Sequence, residues 1–298
     1  MLSYQHIYHA GNFADVQKHA ILVKLLQVLA LKPQKFAFMD THAGRGLYDL
    51  GSAEAQKIGE FNSGVLPFWV KRSEPSPLAD YLKIVASFNE GDELKIYPGS
   101  AKIAHHLMRN TDRLLLIERH PGEYAELQAS FTGAKNVKIE KEDGFQYLIS
   151  QVPFAERRGL VLVDPSYEIK SEYAELPKQL LQAFKKWPQG QFMIWYPMLS
   201  AGLHEQMLLS LRKTDIKDML ISEIRLEAKI NTGREAPAQE SFGMYGSGII
   251  IINPPFGFET ALNELTQFIA TQLPVKATGS AFWLNNQQIS PETGRLAP

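Results

Sequence analysis

Apolar residues at Phe13, Val16, Ala20, Val23 and Leu26 recur at helical spacing and predict a helix from Phe13 to Leu31. Asn12 stands where a cap belongs, with Asp15 three residues on, and Lys32-Pro33 ends the element. The next run, Phe36 to Asp40, is short and uniformly apolar, and it closes on a carboxylate before the turn Thr41-His42-Ala43-Gly44-Arg45-Gly46. It reads as a strand buried on both faces. The same grammar returns at Leu114 to Glu118, Val137 to Glu140, Leu160 to Asp164, Gln191 to Tyr196, Ile221 to Leu226 and Gly248 to Asn253. Helical stretches at Ala101 to Met108, Pro121 to Ser130, Glu172 to Phe184 and Leu203 to Leu211 lie between most of them. Alternation of this kind predicts an α/β fold with a doubly wound, mostly parallel sheet covered by helices on both faces.

Residues 50–95 break the alternation, with helical stretches Gly64 to Val70 and Leu78 to Phe88 around the turn-rich Ser73-Glu74-Pro75-Ser76-Pro77. The expected organisation is a main domain of residues 1–49 and 96–286, a small helical insertion at 50–95, and a loosely ordered polar tail at 287–298. Internal repeats and low-complexity segments are lacking.

Composition narrows the classes. The 298 residues are 45% hydrophobic, enough for a sizeable core, so a disordered or collagen-like chain is excluded. Lys and Arg number 31 against 32 Asp and Glu, so a nucleic-acid partner would need a local basic face. Arg157-Arg158, Lys185-Lys186, Lys135, Lys138 and Lys141 are the candidates, with ordinary solvated surface the competing role for most of them. With no cysteine, disulfides, thiolate zinc sites and a cysteine nucleophile are excluded, which fits a reducing cytosol. The run Ala20 to Leu31, interrupted by Lys24 and Gln27, is expected to be neither a signal peptide nor a membrane span.

Four acidic residues fall where an open α/β sheet binds ligands: Asp40, Glu118 and Asp164 close apolar runs, and Asp143-Gly144 opens the turn after another. A shared crevice lined by all four is the expectation, with helix N-capping the competing role for each. Gly44-Arg45-Gly46 supplies only Gly-x-Gly, and the acid a nicotinamide enzyme needs about 20 residues on is missing. A nicotinamide oxidoreductase is therefore the remotest reading. A ribose-binding acid at the end of the second strand, as Glu118 would be, equally suits an S-adenosylmethionine enzyme.

The most informative segment is Leu160-Val161-Leu162-Val163-Asp164-Pro165-Ser166-Tyr167. It resembles the Asp-Pro-Pro-Tyr signature of methyltransferases acting on exocyclic amines. An adenine amino nitrogen is conjugated into its ring and is a poor nucleophile. Asp164 and the Pro165 carbonyl can each accept one of its N–H groups, and Tyr167 can stack on the base. The later Asn253-Pro254-Pro255-Phe256 matches that signature better letter for letter. It falls after three further strands, however, and reads as an exit turn. Near the start, Tyr4, His6, Tyr8, His9, Lys18 and His19 form a cluster of stacking and titrating groups. A histidine pair there lacks a third ligand at metal-binding spacing, so no metal is expected.

Taken in order, these segments resemble one family. Met1-Leu2-Ser3-Tyr4, His6, His9-Ala10-Gly11-Asn12, Ala14-Asp15-Val16 and Lys18-His19 look like the start of the bacterial ribosomal RNA large subunit methyltransferase J family. Asp40-Thr41-His42-Ala43-Gly44, Tyr97-Pro98-Gly99-Ser100, Asp143-Gly144-Phe145-Gln146, Arg157-Arg158-Gly159-Leu160, Trp195-Tyr196-Pro197 and Ile252-Asn253-Pro254-Pro255 continue the likeness. The resemblance implies a Rossmann-like fold, S-adenosylmethionine as cofactor, and N6 of one adenine in 23S ribosomal RNA as the target. It implies donor binding by His19, His42, Gly44, Ser100, Glu118, Asp143, Gly144 and Asp164, catalysis by Asp164, Pro165 and Tyr167, and substrate contacts from Tyr4, His6 and Lys18. A cytoplasmic monomer with no membrane partner is expected. One departure stands out, since Ser166 occupies the place of the family's second proline, which loosens the hold on the Pro165 carbonyl. A DNA adenine, a protein glutamine amide, and a non-catalytic RNA-binding or donor-sensing module are the competing readings.

Overall fold

The computed structural model describes residues 4–227 and 243–287. The first helix, α1 (Phe13–Ala30), begins where Asn12 Oδ1 accepts the Asp15 backbone N–H at 2.9 Å, as its capping position predicts. Then follow β1 (Ala37–Asp40), β2 (Leu47–Asp49), α2 (Ala53–Ile58), α3 (Leu66–Trp69), α4 (Ala79–Ala86) and β3 (Ile96–Pro98). The regular alternation continues as α5 (Ser100–Leu107), β4 (Arg113–Ile117), α6 (Pro121–Ser130), β5 (Val137–Glu140), α7 (Gly144–Gln151), β6 (Gly159–Val163), α8 (Glu172–Lys186) and β7 (Gln191–Met198). It closes with α9 (Leu203–Arg212), β8 (Met219–Leu226), β9 (Gly246–Ile252), α10 (Phe258–Gln272) and β10 (Ala277–Trp283).

Eight strands form one sheet in the order β10-β8-β9-β7-β6-β1-β4-β5. The five from β5 to β7 run parallel, whereas β9 is antiparallel to β7 and to β8, and β10 is antiparallel to β8. Odd and even residues of the central strands feed two cores. Phe38, Leu114, Leu116, Leu160 and Leu162 pack toward α1, α5 and α10, while Met39, Leu115, Ile117, Val161 and Val163 pack toward α7, α8 and α9. Burial on both faces explains why these strands are apolar without alternation. The chain steps outward from β1 to β4 and β5, then returns to β6 on the other side of β1. The switch between β1 and β6 opens a crevice at the strands' carboxyl ends.

Helices α2, α3 and α4 lie in the expected insertion, and Phe61, Val65, Phe68, Trp69 and Tyr81 join the same core as α1 and α5. The sequence reading missed the small sheet of β2 and β3, and also α2, α7, α10 and β10. Edge strand β10 is half exposed along its length, so it carries no long apolar run. Residues 1–3 and 288–298, including nearly all of the polar tail, lie outside the described residues. No helix among the described residues is long and apolar enough to cross a membrane.

Candidate active site

A cavity of about 530 Å³ opens at the carboxyl ends of β1, β4 and β6. The loop after β1 contributes Thr41, His42, Ala43 and Gly44; the turn after β4 contributes Glu118, Arg119 and His120. Asp143 and Gly144 enter at the start of α7, and Asp164, Pro165 and Ser166 follow β6. Tyr4, His6, Asp15, Lys18 and His19 close one side, and Trp195 lies on the wall. Every residue to which the family resemblance assigns a role, except Tyr167, therefore borders one cavity.

On the β4 side, Glu118 is held by two loop backbones: Gly44 N–H donates to Oε2 at 2.9 Å and His120 N–H to Oε1 at 2.6 Å. Burial raises its pKa, and those two N–H groups partly offset the shift. Gly44 adopts φ +59, a left-handed conformation that glycine takes without strain. Asp143 caps α7 through the Gln146 N–H at 3.1 Å and meets Arg119 at 3.3 Å, so capping and cavity lining coexist there. The loops after β1 and β5 nearly touch at Gly144, where a β-carbon would sit 2.2 Å from the Thr41 carbonyl oxygen. His42 bonds the Thr41 hydroxyl at 2.8 Å and stands edge-on to Phe145, and desolvation lowers its pKa to about 4.

Asp40 corrects an expectation, because it is fully buried beneath the cavity and does not line it. Its carboxyl receives the Ser100 hydroxyl at 2.6 Å and the His42 N–H at 3.1 Å. Burial raises its pKa to about 7. Asp40 thus shapes the loop that lines the cavity. Ser100, though also cavity-lining, spends its hydroxyl on Asp40.

Near the N-terminus, polar groups form a chain of contacts. Tyr4 Oη meets His6 Nδ1 at 2.8 Å, His6 Nε2 meets Asp15 Oδ2 at 2.8 Å, and Lys18 Nζ lies 2.9 Å from Asp15 Oδ1. The same ammonium lies 2.6 Å from Asp164 Oδ2. Burial works against the Lys18 charge, but Asp15 and Asp164 together outweigh it and hold the group ionised. Burial likewise opposes the Asp15 charge, and His6 and Lys18 outweigh it, so its carboxyl stays well below the usual range. His19 Nδ1 bonds the Tyr97 hydroxyl at 2.8 Å, and burial takes its pKa down to about 3, leaving it neutral. His9 reaches Glu60 of the insertion at 3.2 Å.

Tyr167 is a second correction. It sits at φ +54, is buried, donates its hydroxyl to the Trp195 carbonyl at 2.8 Å, and packs 4.4 Å from the Tyr173 ring. With its ring committed to the core beneath α8, it presents no face to the cavity. Trp195 and Tyr4 are among the aromatic side chains on the wall, together with Tyr48 and Phe145. Of the candidate basic residues, Arg158 binds the Leu29 and Gln34 carbonyls near the end of α1, at the start of β6 and away from the cavity. Lys186 binds the Ile149 carbonyl, and Lys138 pairs with Glu140.

The sequence reading missed Asp15, Trp195 and Glu172 as cavity residues. Asp15 had a signal: with Lys18 and His19 it puts three polar groups at i, i+3 and i+4 on one face of a largely apolar helix. Glu172 Oε2 and Gln179 Oε1, both cavity-lining residues on α8, are buried polar atoms with no hydrogen-bond partner among the described residues. Such atoms suit a ligand that brings N–H or O–H groups. Among the described residues no three His, Asp or Glu side chains are grouped to hold a metal ion.

Comparison with known proteins follows the same outline. The family model described as ribosomal RNA large subunit methyltransferase D, RlmJ, matches residues 33–284. Ribosomal RNA large subunit methyltransferase J of Haemophilus influenzae is 38% identical over 281 residues, covering 94% of this chain and 97% of the relative. The protein of the same name from Escherichia coli is 36% identical over 281 residues, with the same coverage. A crystal structure of a Legionella pneumophila protein superposes with a TM-score of 0.83 at 34% identity, covering 92% of this chain and 98% of that one. The chain belongs to the ribosomal RNA large subunit methyltransferase J family.

Proposed function

We propose that this enzyme methylates N6 of an adenine in 23S ribosomal RNA, with S-adenosylmethionine as the methyl donor. One observation carries the reading: the Asp164 carboxylate lines the cavity at the end of β6 with Oδ2 held by Lys18, and among the described residues Oδ1 takes no hydrogen bond. The names of the relatives point to large-subunit ribosomal RNA. For the donor, the support is the cavity's own chemistry. Glu118, fixed by two backbone N–H groups, suits ribose hydroxyls, and the orphaned Glu172 Oε2 suits an ammonium or hydroxyl donor. An acid-rich wall favours a cationic ligand over a neutral one.

Bound there, S-adenosylmethionine supplies an electrophilic methyl group on a positively charged sulfur. Asp164 Oδ1 and the Pro165 carbonyl accept the two N–H groups of the adenine amine, fixing its orientation and offsetting the positive charge that grows on nitrogen. Lys18 keeps the carboxylate from turning. The stacking role expected of Tyr167 passes to Trp195 and Tyr4, which offer aromatic surface at the cavity. Neutral His19 and His42 line the wall without adding charge that would repel a cation.

The test is methyl transfer from labelled donor to unmodified 23S RNA, with the modified nucleotide mapped. Asp164→Ala is expected to lower turnover by about 100-fold or more while calorimetry finds donor affinity little changed. Methylation at an undiminished rate would overturn the assignment. Modification of DNA or of a glutamine amide alone would redirect it to another acceptor.

A further inference from the structure

Among the buried titratable groups, Asp15 stands out because it touches neither the motif at 164–167 nor the donor loops, yet is 1% exposed and fully engaged. Its Oδ2 accepts the Gly11 N–H at 2.8 Å and meets His6 Nε2 at 2.8 Å; its Oδ1 meets Lys18 Nζ at 2.9 Å. Gly11 sits at φ +78, where only glycine avoids strain, and that turn delivers its N–H to the carboxylate. Asp15 is thus clamped from the N-terminal loop and from one helical turn further along α1.

We infer that Asp15 is a positioning residue that fixes Lys18 between two carboxylates, so that Asp164 keeps one oxygen and part of its charge for the substrate amine. The inference rests on the proposed adenine methylation. Lys18 has three N–H bonds: two point at Asp15 and Asp164, and the Trp195 ring lies 5.7 Å from the nitrogen. A lysine paired with Asp164 alone would neutralise it and follow it on a flexible stem. Shared with Asp15, the ammonium neutralises neither carboxylate fully, and its position is set by α1 rather than by Asp164. Asp15 competes with Asp164 for the one ammonium, which leaves Asp164 more of its negative charge for a reaction that builds positive charge on nitrogen.

The experiment compares the wild type, Asp15→Asn, Lys18→Gln and the double variant in methyl transfer to unmodified 23S RNA, alongside donor calorimetry and thermal unfolding. Asparagine retains an acceptor for the Gly11 N–H but turns an amide N–H toward Lys18. Asp15→Asn is expected to lower kcat by about 100-fold, with both KM values and the donor Kd little changed. It should add no further loss in the Lys18→Gln background, because the two residues act as one unit. A kcat near that of the wild type, or a loss that multiplies in the double variant, would overturn the inference in favour of a merely structural Asp15. If Asp15→Asn fails to bind donor, Asp15→Ser takes its place in the same cycle. Relaxation of the Lys18 ammonium by nitrogen-15 NMR reads the positioning without turnover. It is expected to be rigid in the wild type and mobile in the Asp15 variant, and equal rigidity in both would contradict the inference. Absence of methylation by the wild type would instead count against the proposed function.

Discussion

Asp40 holds an acid where no solvent reaches it, with a Ser100 hydroxyl and a His42 N–H as its partners. Burial moves its pKa from the ordinary 3.8 to about 7, so between those values the native chain binds this proton more tightly than the unfolded one. Its contribution to stability is full below about pH 4, declines as pH rises through the window by up to about 1.4 kcal/mol per unit, and is level above it. Asp40→Asn keeps an acceptor for His42 and offers an amide to Ser100. Thermal unfolding of that variant is expected to show a gain over the wild type at pH 8 and little gain at pH 4.5; an equal gain at both would mean that burial of charge is not what the substitution relieves. Ser166 is the other residue with a clear test. Its N–H makes no backbone hydrogen bond among the described residues, so proline forfeits none there. Ser166→Pro is expected to retain methylation and to gain about 0.5 kcal/mol of stability; loss of methylation with donor binding intact would show that the serine is needed. At this scale the strand-end acids Glu118, Asp143 and Asp164 were legible, because an apolar run fixes where a strand stops. The fate of Asp40 and Tyr167 was not. Which way a side chain leaves the strand end depends on partners 60 and 28 residues away, Ser100 and Trp195.

Helix α1 owes its unusual composition to being enclosed. Packed against α4, α5, α10 and two strands, it buries Asp15, Gln17, Lys18 and His19 along with its aliphatic residues. Such buried groups call for partners, and the Gln17 amide nitrogen donates to both the backbone and the hydroxyl oxygen of Ser222, while its own oxygen takes no hydrogen bond among the described residues. The apolar periodicity located the helix to within a residue at both ends but not its surroundings, since spacing alone identifies one face and says nothing of a second. Helix α7 depends instead on a close approach. With a β-carbon 2.2 Å from the Thr41 carbonyl, Gly144→Ala must push the loops after β1 and β5 apart. It is expected to destabilise the chain by about 1–3 kcal/mol and to weaken donor binding measured by calorimetry. Unchanged affinity would mean that these two loops do not form the donor site together. The short sheet of β2 and β3 and the helix α10 escaped the sequence reading for different reasons. Three-residue strands leave no periodic signal, whereas Phe258, Leu262, Leu265 and Ile269 do mark a helix face and were legible in principle.

Across the whole molecule, sheet direction separates the two proline-containing turns that compete in the sequence. Val163, the last residue of β6, pairs with Ile194 well along β7, whereas Ile252, the last of β9, pairs with Phe192 near the beginning of β7. Antiparallel β9 therefore delivers Asn253 to the end of the sheet away from the cavity. There its amide donates to the Pro188 and Gly190 carbonyls, each at 2.7 Å, and holds a backbone at φ +53. Asn253→Ala is expected to cost about 2 kcal/mol of stability in denaturant unfolding while kcat per folded molecule stays level. A selective loss of kcat would place chemistry at the wrong end of the sheet. The parallel half of the fold was legible because buried strands and covering helices alternate in the chain. The antiparallel edge was not, since strand direction depends on connections that hydrophobic patterning does not encode.

The central claim is that the Asp164 carboxylate, aimed by Lys18, holds an adenine amine for methyl transfer. Its most direct test is methyl incorporation from labelled S-adenosylmethionine into unmodified 23S RNA by the wild type and by Asp164→Ala, with donor calorimetry on both and mapping of the product nucleotide. The expected result is a single N6-methyladenosine from the wild type, and its loss in a variant that still binds donor. A variant that methylates the same adenine at the wild-type rate would contradict the account.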